Sequence, residues 1–217
     1  MMSARKSLAV FGMVAALAAA GAAPAAAHEN GNDNANNRRT TVYRAALDSL
    51  NDSGATGVAK LRLRGNTLHI RIDARGLVPD QPHAQHIHGL GNSECPTMAA
   101  AGGDGLLTTA EGLPFYGPIA VSLTTSGGTS PAQGLDLAIM PVADANGEIH
   151  YRRTIELPAN VAAELDGFQI VQHGIDRNGN GEYDFSLGVS DLDPALPQEG
   201  TAPANCGTID RLGRNRG

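Results

Sequence analysis

The sequence predicts an all-β protein, an antiparallel Greek-key sandwich or barrel. Three observations lead there. Apolar residues recur at every second position in several short runs. Glycine, at 27 residues, and proline, at 12, interrupt the chain too often for a helical bundle. Helical periodicity is weak, and its best stretch, Ala159 to Asp166, spans about two turns. Aromatic residues make up 4% of the 217 and tryptophan is absent, so the core must be built from Val, Ile, Leu and Ala. A chain of this length supports one domain with tails.

The first segment reads as an address. Arg5 and Lys6 precede an apolar stretch from Leu8 to about Ala20, and small residues end in Ala25-Ala26-Ala27. A basic start, an apolar middle and an A-x-A end form a secretory signal peptide, with an apolar run short for a membrane span. Residues 1–27 are therefore expected to be removed and the chain exported. Losing Arg5 and Lys6 would take the formal charge from −6 to −8, which argues against a nucleic-acid partner. Residues 28–40 are polar and rich in Asn, a linker with nothing to bury. Its His28 would begin the mature chain, where an amine and a ring can chelate copper; chance placement in a tail is the preferred reading. The β domain is expected over 41–210 and a C-terminal tail over 211–217.

Within the domain, Val58 to Arg64 alternates with a slip near Ala59, Gly65-Asn66 makes a turn, and Leu68, Ile70 and Ile72 then share one face. That is period two, a strand with one buried side. His69 falls on the wet face. Pro118 to Thr125 and Leu135 to Val142 are further strand candidates, and Asn146-Gly147 favours a tight hairpin turn. The strand from Ile149 to Leu157 places Ile149, Tyr151 and Ile155 inward and His150 outward. Phe168 to His173 is one more short apolar run.

Cys95 and Cys206 are the two cysteines. In an exported chain pairing is the default, and a bridge between them would close a long loop.

The densest chemistry is Gln81-Pro82-His83-Ala84-Gln85-His86-Ile87-His88-Gly89. On a strand, residues i and i+2 point to one side, so His86 and His88 project together and can grip one ion. His83 faces away and suits a structural hydrogen bond. His173, ending a distant apolar run, is the natural third ligand. Imidazoles with no thiolate in reach suit copper, zinc or nickel. Hydrogen-bonded loop histidines are the alternative on spacing alone.

His83-x-x-His86-x-His88, then glycines, then Cys95, resembles the copper-site segment of the Cu,Zn superoxide dismutase family. Val171-Gln172-His173-Gly174 is similar to that family's last copper-ligand strand, and Cys206-Gly207-Thr208-Ile209 to its closing strand. The motifs keep the family's order over about Thr41 to Ile209. The resemblance implies a Greek-key β-barrel, copper on His86, His88 and His173, a structural His83 beside the site, and a Cys95–Cys206 disulfide. Departures accompany it. Pro96 to Gly117 holds no histidine, and its acids are Asp104 and Glu111, so the family's zinc site and bridging histidine are absent. Pro203 stands where the family has an arginine that attracts the anionic substrate; Arg177, close to His173 in sequence, is the candidate substitute. The segment from Tyr43 to Gly89 also resembles a chordin-repeat (CHRD) domain, through Ala46-Leu47, Gly57, the Leu68 strand, Gly76-Leu77 and His86-Ile87-His88-Gly89.

Asp176, Asn178, Asn180 and Asp184 place oxygens at positions 1, 3, 5 and 9 of a calcium-type loop, with Gly181 at 6. Leu187 stands at 12, where a bidentate acid belongs, and an Asn-Gly turn accounts for the same residues. Asp191, Asp193 and Glu199 read as a solvated acidic loop. The sequence shows no phosphate loop, no basic aromatic patch and no Ser/His/Asp spacing.

The reading is an exported superoxide dismutase-like domain that binds copper, or another divalent ion, through three histidines. A CHRD-like structural or interaction module without metal is the alternative. Turnover of superoxide needs proton delivery and a positive field, and the residues expected for both are missing.

Overall fold

The computed structural model describes residues 39–213. The leader and His28 lie outside the described residues. No helix among the described residues is long and apolar enough to cross a membrane.

The fold is all-β and every strand pairing is antiparallel. Strands β1 (Thr41–Ser49), β2 (Thr56–Arg64) and β3 (Thr67–Arg75) form a meander. Period two governs it as expected: β3 buries Leu68, Ile70, Ile72 and Ala74 and exposes His69 and Arg71. The slip near Ala59 disappears, because Ala59 points inward with Leu61 and Leu63 while Val58 takes the outer face.

The chain then crosses over. β4 (Gln85–His88), β5 (Ile119–Ser122), β7 (Gln169–His173) and β8 (Pro203–Thr208) build a second half, while β6 (Ile149–Glu156) returns to the meander beside β3. The pairings form one path, β5-β4-β7-β8-β1-β2-β3-β6, with β9 (Asp210–Arg211) added to β1. β1 joins the halves: Asp48 and Ser49 pair with Cys206 and Asn205 of β8 while the rest of the strand pairs with β2. The halves curl over one core, in which Leu61, Leu68 and Ile72 meet Ile87, Val121 and Ile170. Each such fully buried side chain contributes roughly 1.5–3 kcal/mol.

Several expectations need correction. Leu135–Val142 is not a strand; two 3-10 turns, Pro131–Gln133 and Leu137–Ile139, occupy that region. The turn at Asn146-Gly147 forms, with Gly147 N donating to Asp144 O at 2.9 Å, but it joins no hairpin, because β6 pairs with β3. Helix α1 (Thr109–Tyr116) was not foreseen, although its cap was readable. The Thr108 side chain accepts from Glu111 N and the Glu111 carboxylate reaches back to Thr108 N, a capping box with the T-x-x-E spacing. The short helix α2 (Ala159–Ala163) lies where the sequence placed helical pattern. Arg211 is laddered to Tyr43 instead of opening a tail.

The disulfide is Cys95–Cys206, with Cα atoms 5.7 Å apart across 111 residues of chain. It fastens the loop after β4 to β8, beside a small cluster of Leu50, Leu107, Tyr116 and Val171.

Candidate metal centre

The second half of the sheet is covered on both faces. All four residues of β4 and all five of β7 are buried. Ile87 faces the main core, so the pleat sends His86 and His88 to the other side. On β7, Val171 lies opposite His86, and His173 is two residues further along on that same face. It is thus a diagonal cross-strand neighbour of His86. Its backbone N–H reaches the Ala84 carbonyl at 2.8 Å, extending the ladder to the site.

The three rings converge. Ring centres of His86 and His88 lie 5.5 Å apart, His86 and His173 5.2 Å, and His88 and His173 6.1 Å. One nitrogen from each ring falls within 4.8 Å of the others. An ion with bonds near ~2 Å would draw them together by an amount on the order of an ångström.

Each ring is held by its other nitrogen. His86 Nε2 donates to the Gly134 carbonyl at 2.9 Å, His88 Nδ1 to that of Gly117 at 2.8 Å, and His173 Nδ1 to that of Thr201 at 2.7 Å. A carbonyl can only accept, so each of those nitrogens carries the proton and the opposite one carries the lone pair. Those opposite atoms, His86 Nδ1, His88 Nε2 and His173 Nε2, are buried with no hydrogen-bond partner. Buried polar atoms are normally satisfied; three unsatisfied imidazole acceptors facing one point are what a metal ion would complete.

Burial keeps the rings neutral. It pushes His86 well below the usual imidazole range, His88 down to about 3 and His173 down to about 4. The mutual proximity of the rings depresses His86 and His88 further. Neutral imidazole is the form that ligates a metal. Tyr116 packs its ring 4.6 Å from that of His88.

His83 is fully buried behind the site. Its Nδ1 is 2.8 Å from the carbonyl of His173 and its Nε2 3.1 Å from that of Val78, with the Tyr183 hydroxyl 3.2 Å from Nδ1. Gly174 permits this packing. It sits at φ +105°, and a Cβ there would lie 2.1 Å from the Tyr183 oxygen.

The remaining candidates lie elsewhere. Arg177 lines a separate hollow with Asn51, Gly76 and Pro79 and is not among the residues around the three rings. Asp176, Asn178, Asn180 and Asp184 do come together, but their oxygens face N–H donors. Asp176 accepts from the backbone of Gly179, Asn180 and Gly181, and Asp184 from the side chains of Asn178 and Asn180. Among the described residues, His86, His88 and His173 form the one group of three or more His, Cys, Asp or Glu side chains gathered closely enough to hold an ion.

Glu199 corrects the sequence reading. It is fully buried, not solvated. Its carboxylate accepts from the backbone of Arg177 at 3.0 Å and Asp184 at 2.9 Å, and from the Ser186 hydroxyl at 3.0 Å. It thereby orders the segment that follows His173. Sequence reasoning also missed the carbonyls of Gly117, Gly134 and Thr201. Backbone acceptors leave no mark on side-chain pattern; the nearest signals are two capping-box spacings, Thr108 with Glu111 in the helix that ends at Gly117 and Ser130 with Gln133 just before Gly134.

No family model matches the sequence. No curated protein matches it. Among solved structures the fold is similar to Candida albicans Superoxide Dismutase 5, Cu(II), at 16% identity and a TM-score of 0.44, over 82% of this chain and 97% of that one.

Proposed function

We propose that this domain is exported and binds copper through His86 Nδ1, His88 Nε2 and His173 Nε2, as a superoxide dismutase-like module without the zinc site. The observation that carries the reading is the set of three buried, unpartnered, neutral imidazole nitrogens. Three imidazoles with no thiolate favour Cu, Zn or Ni, and copper stands highest in the affinity order. The carbonyls of Gly117, Gly134 and Thr201 would fix ring orientation, as outer partners of metal-bound histidines do. Bound copper would supply a one-electron couple. The chain's own residues contribute position and dryness to it, and among the described residues no Lys or Arg side chain that would draw in an anion lines the site. The reading is therefore stronger for metal binding than for fast superoxide turnover.

Copper titration of the purified protein should show one tight ion per chain. His86→Ala and His173→Ala should each weaken it by roughly a hundredfold or more, beyond the 10–100-fold typical of outer partners. Equal binding by these variants would sink the assignment and leave a module without metal. A superoxide-consumption assay on the copper-loaded protein then separates a dismutase from a copper-holding domain.

A further inference from the structure

Above the three rings lies a chamber of about 500 Å³, within the range of small-molecule sites. His86, His88 and His173 form part of its lining. Leu113, Ile119, Leu135, Leu137, Leu192 and Leu196 supply apolar walls, and among the described residues no Asp, Glu, Lys or Arg lines it. Thr109 and Thr201 are the hydroxyl side chains present, and both are engaged: Thr109 donates to the Thr201 carbonyl at 2.6 Å, and Thr201 Oγ1 is 2.7 Å from Ser190 Oγ.

The rim adds a second observation. Leu113, Leu135 and Leu192 are 45%, 37% and 46% exposed. They come from α1, from the connection after β5 and from the loop before β8, yet they meet at one opening. Single exposed leucines are ordinary; several gathered round a concavity mark a binding site. Leu135 and Leu137 also account for the apolar alternation that mimicked a strand, since they face this chamber.

We infer that the chamber binds a neutral, largely apolar small molecule bearing one lone-pair nitrogen or oxygen, with that head toward the three imidazoles and its body against the leucines. The position of the head rests on the metal reading above; the position of the body rests on the walls alone. A strongly hydrated ligand would lose its water here with no free side-chain donor in the walls to replace it. An apolar body gains in proportion to the area it buries.

The probes are imidazole and 4-phenylimidazole, titrated into copper(II)-loaded protein and followed by electron paramagnetic resonance and visible absorption. The phenyl ring should tighten binding by about tenfold or more. Leu135→Gln/Leu192→Gln should erase most of that gain while the copper titration stays unchanged. Equal affinity for the two probes, or a gain that survives in the double variant, overturns the inference. In metal-free protein, nuclear Overhauser contacts between the phenyl protons and the methyls of Leu135 and Leu192 should appear at high probe concentration; their absence also overturns it. If wild-type protein takes up no copper yet shows these contacts, the metal reading falls and the chamber stands.

Discussion

The two halves of the sheet use histidine in opposite ways. On the meander, His69 and His150 sit on the wet face. His69 Nδ1 is 2.8 Å from Thr154 Oγ1, and His150 Nδ1 is 3.0 Å from Asp73 Oδ1, which pushes the His150 ring above its ordinary value. On β4 and β7, His86, His88 and His173 are buried and pushed down. The residue type is the same and the layering differs. The meander has one face on the core and one in water. The other half carries connecting segments over its outer face, so a ring placed there meets carbonyls and leucines in place of solvent. Where a histidine sits in the layers decides whether its ring meets water or is enclosed among carbonyls and leucines.

The sharpest way to break this contrast is to remove what holds the covering in place. Cys95→Ser/Cys206→Ser opens a loop with a sequence separation of 111. The chain-entropy model assigns roughly 4–5 kcal/mol to such a closure. Denaturant unfolding should show a loss of that order. Amide exchange in α1 and the 89–108 loop should accelerate before exchange in β2 and β3, because the bridge fastens only the covered half. Uniform acceleration across both halves would contradict the division.

A smaller and more local effect is expected at Gly117. Its backbone is at φ +78° and ψ −174°, a region essentially reserved for glycine. A Cβ there would lie 2.1 Å from the Gly89 carbonyl oxygen. Gly117→Ala should cost roughly 3 kcal/mol, from strain and collision together, and it should displace the carbonyl that orients His88. Copper affinity should therefore fall along with stability. Gly167→Ala is the comparison, at φ +96° with open space around the new Cβ. It should cost about 1 kcal/mol and leave copper binding as it was. Loss of copper affinity in both would mean that stability alone governs the site.

The same layering explains what the sequence disclosed. Leu68, Ile70 and Ile72 alternate with His69 and Arg71 because one side is wet, so the meander could be read directly. The three imidazoles were legible from the H-x-H spacing and from the end of the Phe168–Val171 run. Their anchors were not, because backbone carbonyls have no sequence signature. Leu135 and Leu137 misled for a related reason: apolar alternation need not mark the inner face of a strand, and here the two leucines line the chamber, Leu135 still 37% exposed. Glu199 misled because a carboxylate in a proline-rich acidic stretch normally faces water. Three hydrogen bonds from Arg177, Asp184 and Ser186 offset its burial, and two of those three donors are main-chain N–H groups.

The mildest test concerns the wet histidines. Arg71 and His150 both reach Asp73, and with Arg71 as the leading cause they hold its carboxyl down to about 2. Asp73 in turn raises His150 above 6.5. The signs follow from linkage. The contribution of His150 is complete below its unfolded value of 6.5 and is lost as pH rises through the higher folded value. That of Asp73 is complete above its unfolded value of 3.8 and is lost as pH falls through about 2. The pair therefore supports the fold best between those two unfolded values. Exposure makes the effect small and salt-sensitive. The His150 ring should titrate above 6.5 by nuclear magnetic resonance, and Asp73→Asn should bring the midpoint back toward that value. Part of the rise should survive, because Glu148 still lies 3.5 Å from Nε2. Copper affinity should not move with Asp73→Asn; if it did, the halves would be electrostatically coupled and the contrast between wet and dry histidines would not be one of local layering.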